Sequence, residues 1–537
     1  MKKLLPPLLM LALAGACDVA GAAPARSPAV GAALKTMSGA GLLGHISALA
    51  SDDFEGRAPG TKGESMTLEY LQTQFKRIGL APGNPDGTYL QKVPLLGVRS
   101  TPTLRFSTGA RSVDLDFPAD YVAWSTRTEA RVTVPESELV FVGYGVTAPV
   151  YRWDDYKGVD LRGKTLLMLV NDPPAFGADA MTYDGRGSKQ FDMAAKLGAA
   201  GALIVHETKA GSSAYEAVRN SWSRENFSLQ SEGPNPHFPA LAGWLQLDRA
   251  KDAMRSVGYD FDKLKAAAQS RDFKPVALGV TSIAHIDNQW REVASHNVVA
   301  KIEGADPRLK DEYVIYSAHW DHFGIDESLP GSRTQQIYHG ALDNASGVAA
   351  LLELARAYKA LRVAPKRSIL FVLTTGEERG LLGAQHYVRH PLYPLSKTLI
   401  DINVDAMNLW GRSKVVQLAG VGTSGADRSE FARAGVPVVH LGGARATPDP
   451  RASSGNRSSK RRGREASLAA VSAQARFDQY LAHDYHKVSD VVQPGWDMRG
   501  ALEDLTLLFH AGYDTAQGKP YSQWKPGAES KAARNAR

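Results

Sequence analysis

Four groups of acidic and histidine side chains sit immediately after apolar runs, where a fold can bring them together. His319-Trp320-Asp321-His322 follows the run Tyr313–Ala318. Asp343 lies in the glycine-flanked turn Gly340-Ala341-Leu342-Asp343-Asn344-Ala345-Ser346-Gly347, which opens a helical pattern. Glu377-Glu378 come just past the apolar run Ile369–Thr374. Asp405 closes the run Leu399–Val404, and Asp484-Tyr485-His486 appears later with Asp490 four residues on. Taken singly these are bland, since an acid in such a turn reads as a helix cap and a glutamate pair as solvated surface. Together they place two histidines and several carboxylates at strand ends. That is enough to hold two divalent ions about 3.5–4 Å apart through one shared carboxylate. No G-x-S-x-G elbow and no G-x-x-x-x-G-K-[ST] loop is present, so serine hydrolase and nucleotide chemistry drop out.

The elements that must position these groups are legible as patterns. Tyr313–Ala318 and Ile369–Thr374 are apolar on consecutive residues, as strands buried on both faces are, with the helical stretch Val348–Leu361 between them. Strand, helix, strand in that order predicts a mixed, mostly parallel central α/β sheet sandwiched by helices, with ligands at the strand ends. Upstream, apolar residues from Glu64 to Ile78 recur at three- and four-residue spacing and stop at Gly79, which predicts an amphipathic helix. Residues from about 130 to 280 change character, with short apolar runs such as Leu139–Val142, Leu166–Val170 and Ala202–Val205 between Gly, Pro and Asp. They predict a separate β-rich module.

The 537 residues are 22% charged and 43% hydrophobic, with 63 Lys+Arg against 56 Asp+Glu. Six basic residues and one acid fall between Arg451 and Glu465, leaving the rest near neutral, so nucleic acid is not expected as a partner. Lys2-Lys3, the apolar run Leu4–Leu13 and Ala14-Gly15-Ala16 read as a secretory leader. Its run is short of the roughly 20 residues that span a bilayer, and no later stretch approaches that length, so no transmembrane helix is expected. Cys17, the sole cysteine, stands where a bacterial lipoprotein is acylated; the alternative is cleavage after Ala16 or Ala22 without a lipid anchor. The protein is therefore expected to be exported: periplasmic, secreted or an outer-envelope lipoprotein. With no thiol in its body, any zinc site must use histidine and carboxylate.

The clusters, in order, resemble the family-28 metallopeptidases, zinc aminopeptidases of clan MH, in particular secreted bacterial members with an inserted protease-associated domain. Ser51-Asp52-Asp53-Phe54-Glu55-Gly56-Arg57, Phe141-Val142-Gly143-Tyr144-Gly145 and Tyr156-Lys157-Gly158-Val159-Asp160 extend the likeness over most of the chain. The resemblance implies two Zn²⁺ per chain and peptide substrates cut at the N-terminal residue. It makes His319 and Asp405 the terminal ligands of one zinc, Glu378 and His486 those of the other, Asp343 the bridge and Glu377 the general base. Residues 1–23 are read as the signal peptide, 24–40 as a linker from their Ala-, Gly-, Ser- and Pro-rich composition and 521–537 as a polar tail, and the resemblance makes 41–128 and 286–520 the two parts of the catalytic domain and 129–285 the protease-associated insert.

Physical logic adds supporting roles. Asp321, two residues from His319, is expected to orient that imidazole, and Asp490 to do likewise for His486. Tyr485 is expected to donate to the oxyanion, a packing tyrosine being the plainer reading. Related folds reuse such ligands in glutamate carboxypeptidase-like and glutaminyl cyclase-like enzymes, and a non-catalytic peptidase-like binding protein is a further alternative. One stretch departs from the family. Around Arg428-Ser429-Glu430-Phe431-Ala432 an Asp-His pair is missing, and Ala444–Gln474 is rich in Arg, Ser and Ala without apolar periodicity. It reads as a disordered insertion or as a local frame error in the gene.

Overall fold

The computed structural model describes residues 28–518 apart from 110, 177–186, 209–213, 232–237, 413–417, 420–427 and 443–474. The expected leader with Cys17, the 444–474 stretch and the 521–537 tail lie outside these residues. Packed structure begins earlier than Gly41. A helix at Pro28–Leu34 buries Val30 and Ala33, three residues apart on one face, and Met37 beyond its end is buried as well, in a segment whose composition suggests a linker.

The sheet is built around one strand of 27 residues, Val276–Ile302. Its last turn of pairing, Val298–Ile302, runs antiparallel to Ser368–Thr374, while its first half pairs antiparallel with Arg131–Phe141. Along most of its length it also pairs with Leu90–Thr108. At about 3.3 Å per residue such a strand is long enough to pass from one core into a second. On one side lie four parallel strands, in the order Val438–Gly442, Thr398–Asp405, Tyr313–His319 and Ser368–Thr374. On the other, Arg131–Phe141, Thr165–Leu169, Gly201–His206 and Leu241–Gln246 form a second parallel block, edged by antiparallel Tyr121–Trp124. The central sheet is thus mixed and mostly parallel, as the unalternating apolar runs predict.

Those runs are buried on both faces, as the pattern requires. Val314, Tyr316 and Ala318 join one core with Val348, Leu351 and Leu352 of the helix Ser346–Lys359 and Leu505 and Phe509 of the helix Arg499–Ala516. Ile315, Leu370 and Val372 face the opposite layer, against Tyr387 and Phe431. The helix expected to end at Gly79 spans Lys62–Ile78, and Gly79 caps it at φ 88°, where a residue with a Cβ would be strained. Among the described residues, no helix is long and apolar enough to cross a membrane.

The second parallel block has cores of its own. One draws in Leu104, Phe106, Leu115 and Tyr121, which precede residue 129, together with Phe141, Leu167, Leu203 and Leu245. Helices Gly187–Lys196 and Leu247–Ser256 accompany the strands, so this region is mixed α/β, with helices where the short apolar runs indicated strands alone. Asp155 is enclosed here, accepting from the Val146 amide at 3.0 Å and the Trp153 indole at 2.7 Å. Burial pushes its carboxyl up to about 7 against the pull of those donors. A carboxyl raised on folding contributes stability that is fully present below its unfolded value and is lost as pH rises through the folded value. Thermal melts should therefore show this region weakening as pH rises through about 7, and Asp155→Asn should flatten that dependence; an unchanged slope in the variant would assign it elsewhere.

Candidate metal centre

Three neighbouring parallel strands end at the same edge, and each delivers an acid or a histidine. His319 is the last residue of the middle strand, Asp405 closes the strand on one side, and Glu377-Glu378 follow the strand on the other. Asp343 reaches the same place from the turn before the helix Ser346–Lys359, and His486 from a loop beyond a helix over 475–483. His319 Nε2 lies 3.2 Å from Asp343 Oδ1 and 3.5 Å from Asp405 Oδ1. His486 Nε2 lies 3.2 Å from Asp343 Oδ2 and 3.0 Å from Glu378 Oε2. Asp343 thus presents one oxygen to each imidazole. Glu377 stands at the rim, with Oε2 4.0 Å from His319 Nε2.

The donors fit a zinc-type cation on electrostatic grounds. The Nδ1 of His319 points at the Asp321 carbonyl, 3.2 Å away. A carbonyl only accepts, so Nδ1 carries the proton and Nε2 turns its lone pair toward Asp343 and Asp405. A lone pair facing carboxylate oxygens at this range is repulsive unless positive charge lies between them. His319, Asp343 and Glu378 bring ligand atoms within 4.8 Å of one another, and nitrogen with carboxylate oxygen is a donor set zinc accepts. Without such a cation the imidazoles themselves must carry positive charge. Burial alone would lower His486, but Glu378 and Asp343 outweigh it and hold the ring up to about 9. His319 is likewise raised, its burial outweighed by Glu377, Asp343 and Asp405. Burial and Asp343 push Glu378 upward, yet His486 and His322 draw it down to about 2.

Several supports differ from the sequence expectation. His319 Nδ1 meets the Asp321 carbonyl at 3.2 Å rather than its carboxylate, which is 3.8 Å away and accepts from the Glu377 amide at 3.1 Å. Asp321 therefore positions both His319 and Glu377. Asp490 does not face His486. It accepts from the amides of Leu342 at 2.9 Å and Asp343 at 3.1 Å and from the Tyr480 hydroxyl, so it secures the Asp343 turn. Tyr485 stacks on His486 with ring centroids 3.7 Å apart, and its hydroxyl is pushed well up by burial and the surrounding carboxylates.

Three residues receive no role from the sequence reading. His322 Nδ1 meets Glu378 Oε1 at 2.6 Å; its place in the quartet after Ala318 was the available signal. Ser221 Oγ lies 2.8 Å from His486 Nδ1, with nothing local in the sequence to connect them. Arg57 is fully buried, and its guanidinium donates to the carbonyls of Leu49, Trp320, His339 and Gly340. It ties the residue after His319 to the turn that carries Asp343. Burial brings its pKa down to about 10 despite nearby Asp490, Asp321 and Asp343, so it remains a cation beside the acids.

All the ligand candidates fall within one segment that matches a known family. Residues 297–510 match the model of Peptidase family M28. Similarity of the chain to curated proteins is distant. It is 27% identical to Carboxypeptidase Q of Xenopus laevis over 265 residues, which are 49% of this chain and 46% of that one. It is 32% identical to the alkaline phosphatase isozyme conversion protein of Escherichia coli K12 over 168 residues, 30% of this chain and 45% of that protein. The chain thus spans less than half the length of these relatives. Among solved structures, the peptidase M28 precursor of Shewanella amazonensis aligns with 93% of this chain and 98% of its own at 16% identity and a TM-score of 0.48. Arg57 and Ser221 lie outside the matched segment.

The geometry at Arg57 generates a prediction. Lysine keeps the charge but has three donors at one point, where the fork of Arg57 serves four carbonyls. Arg57→Lys should cost about 2–3 kcal/mol in denaturant unfolding, because buried carbonyls lose their donors. A loss below about 0.5 kcal/mol would show that the carbonyls find other partners.

Proposed function

We propose that the protein is an exported di-zinc aminopeptidase, its metallopeptidase domain interrupted by a protease-associated module over residues 129–285. The observation that carries this reading is the position of Asp343, one oxygen 3.2 Å from His319 Nε2 and the other 3.2 Å from His486 Nε2. One carboxylate shared between two imidazoles, with Asp405 beyond the first and Glu378 beyond the second, supports a reading of two adjacent cation sites. His319 and Asp405 would hold one zinc, His486 and Glu378 the other, with Asp343 common to both.

When bound, zinc supplies Lewis acidity toward the scissile carbonyl and lowers the pKa of a coordinated water toward 7. The chain's own groups do the rest. Glu377, its amide anchored on Asp321, takes the proton from the attacking water as oxygen bonds to the carbonyl carbon. As the carbon–nitrogen bond breaks, the same carboxyl returns that proton to the leaving amine. Glu377 suits this because it is adjacent to Glu378 yet turned toward His319 from outside the shared cluster. Tyr485, stacked beside His486, is the side chain proposed to donate to the developing oxyanion. The positively charged leader and Cys17 support export, with or without a lipid.

Purified protein should release chromophore from aminoacyl anilides, lose that activity to a chelator and regain it with zinc. Glu377→Gln should retain zinc and lose at least about 100-fold in kcat, the lower range for general acid–base catalysis. If zinc binds but only substrates with a free carboxyl end are cut, or an N-terminal glutamine is cyclised, the aminopeptidase reading fails in favour of its carboxypeptidase-like or cyclase-like alternatives.

A further inference from the structure

We propose that Ser221, contributed by the module rather than by the M28 segment, is a positioning residue that fixes the proton and orientation of His486; this rests on His486 being a zinc ligand. Ser221 lies on the helix Tyr215–Trp222 and is 3% exposed. Its hydroxyl is 2.8 Å from the Ala217 carbonyl, one helical turn back, and 2.8 Å from His486 Nδ1. A hydroxyl has one proton, and the Ala217 carbonyl can only accept it. The remaining lone pairs of Oγ therefore accept Nδ1–H from His486. In the neutral ring that zinc binding requires, this leaves Nε2 unprotonated and facing the gap between Asp343 and Glu378.

His486 needs outside help of this kind in a way His319 does not. His319 ends a regular strand, and its Nδ1 acceptor is supplied two residues along the same segment. His486 sits in a loop at φ 57°, a conformation a residue with a Cβ seldom adopts. The acid expected to serve it locally, Asp490, is engaged with Leu342, Asp343 and Tyr480. The acceptor comes instead from 265 residues upstream. Three further contacts clamp the same helix to the site: Asn220 Nδ2 donates to the His486 carbonyl at 3.1 Å, Lys487 pairs with Glu216 at 2.8 Å, and the Arg379 guanidinium donates to the Ser221 carbonyl. Arg379 itself adjoins Glu378, so the module grips both ligands of that site. A displacement of this helix would remove the acceptor from His486, which makes the module part of the metal centre and couples its docking to metal retention.

The test compares full-length wild type, Ser221→Ala, Ser221→Thr and His486→Ala. Zinc affinity is measured by competition with a chromophoric chelator, and the visible spectrum is recorded after cobalt replaces zinc. Melting of the metal-free proteins reports whether each variant folds. The expected result is two zinc ions in wild type and loss of one in His486→Ala. Ser221→Ala should bind one of the two ions about 10- to 100-fold more weakly, the range for lost outer hydrogen bonds to a metal ligand. Its cobalt spectrum should shift, and Ser221→Thr, which keeps a hydroxyl, should restore both readouts. Wild-type affinity and spectrum in Ser221→Ala, alongside loss in His486→Ala, would overturn the role of Ser221 and leave the di-zinc reading standing. Equal weakening in Ser221→Ala and Ser221→Thr would also overturn it, since the hydroxyl would not be what matters. Wild type that binds no zinc, with His486→Ala no different, would instead remove the di-zinc reading itself.

Discussion

The Asp343 carboxylate divides its two oxygens between two imidazoles, and much of the surrounding structure serves to keep it there. Asp343 is buried, as are Asp321 and Glu378, with Asp405 close by. Like charges packed out of water repel strongly, and such a cluster persists only if positive charge is supplied among it. Arg57 provides a permanent cation nearby while bracing the turn that carries Asp343. The amides of Leu342 and Asp343 bind Asp490, which fixes the carboxylate from behind. The imidazoles present their Nε2 atoms from either side. Cations held at the sites proposed here would balance that charge.

The sheet accounts for how groups so far apart in sequence converge. Parallel strands that neighbour one another finish at a common edge, so His319, Asp405 and the Glu377-Glu378 pair are brought together by topology before any side chain is considered. The long strand Val276–Ile302 then carries the same sheet into a second block with cores of its own. From that block the helix bearing Ser221 returns to His486, so one continuous sheet links the region that holds the acids to the region that buttresses a histidine.

Sequence reading reached the parallel strands because Tyr313–Ala318 and Ile369–Thr374 are unbroken apolar runs, a pattern that double-sided burial demands. It reached the ligand candidates because acids and histidines directly follow those runs. It did not reach Ser221, His322 or the role of Arg57, and the reason is physical. A serine that accepts from a histidine 265 residues away leaves no periodicity, and an arginine bound to carbonyls recognises backbone rather than any particular side chain. Asp490 was misassigned for a related reason: four residues from His486 is near in sequence, yet the loop turns it back onto the Asp343 amide. The segment before Gly41 reads as a linker by composition, yet a seven-residue helix there buries Val30 and Ala33.

The central claim is that Asp343 joins two metal ions. Crystals of the zinc-loaded protein, with data collected on both sides of the zinc absorption edge, test it directly. The account predicts two anomalous peaks about 3.5–4 Å apart, one beside His319 and Asp405 and one beside His486 and Glu378, with the Asp343 carboxylate between them. A single peak, or peaks that do not contact Asp343, would contradict it.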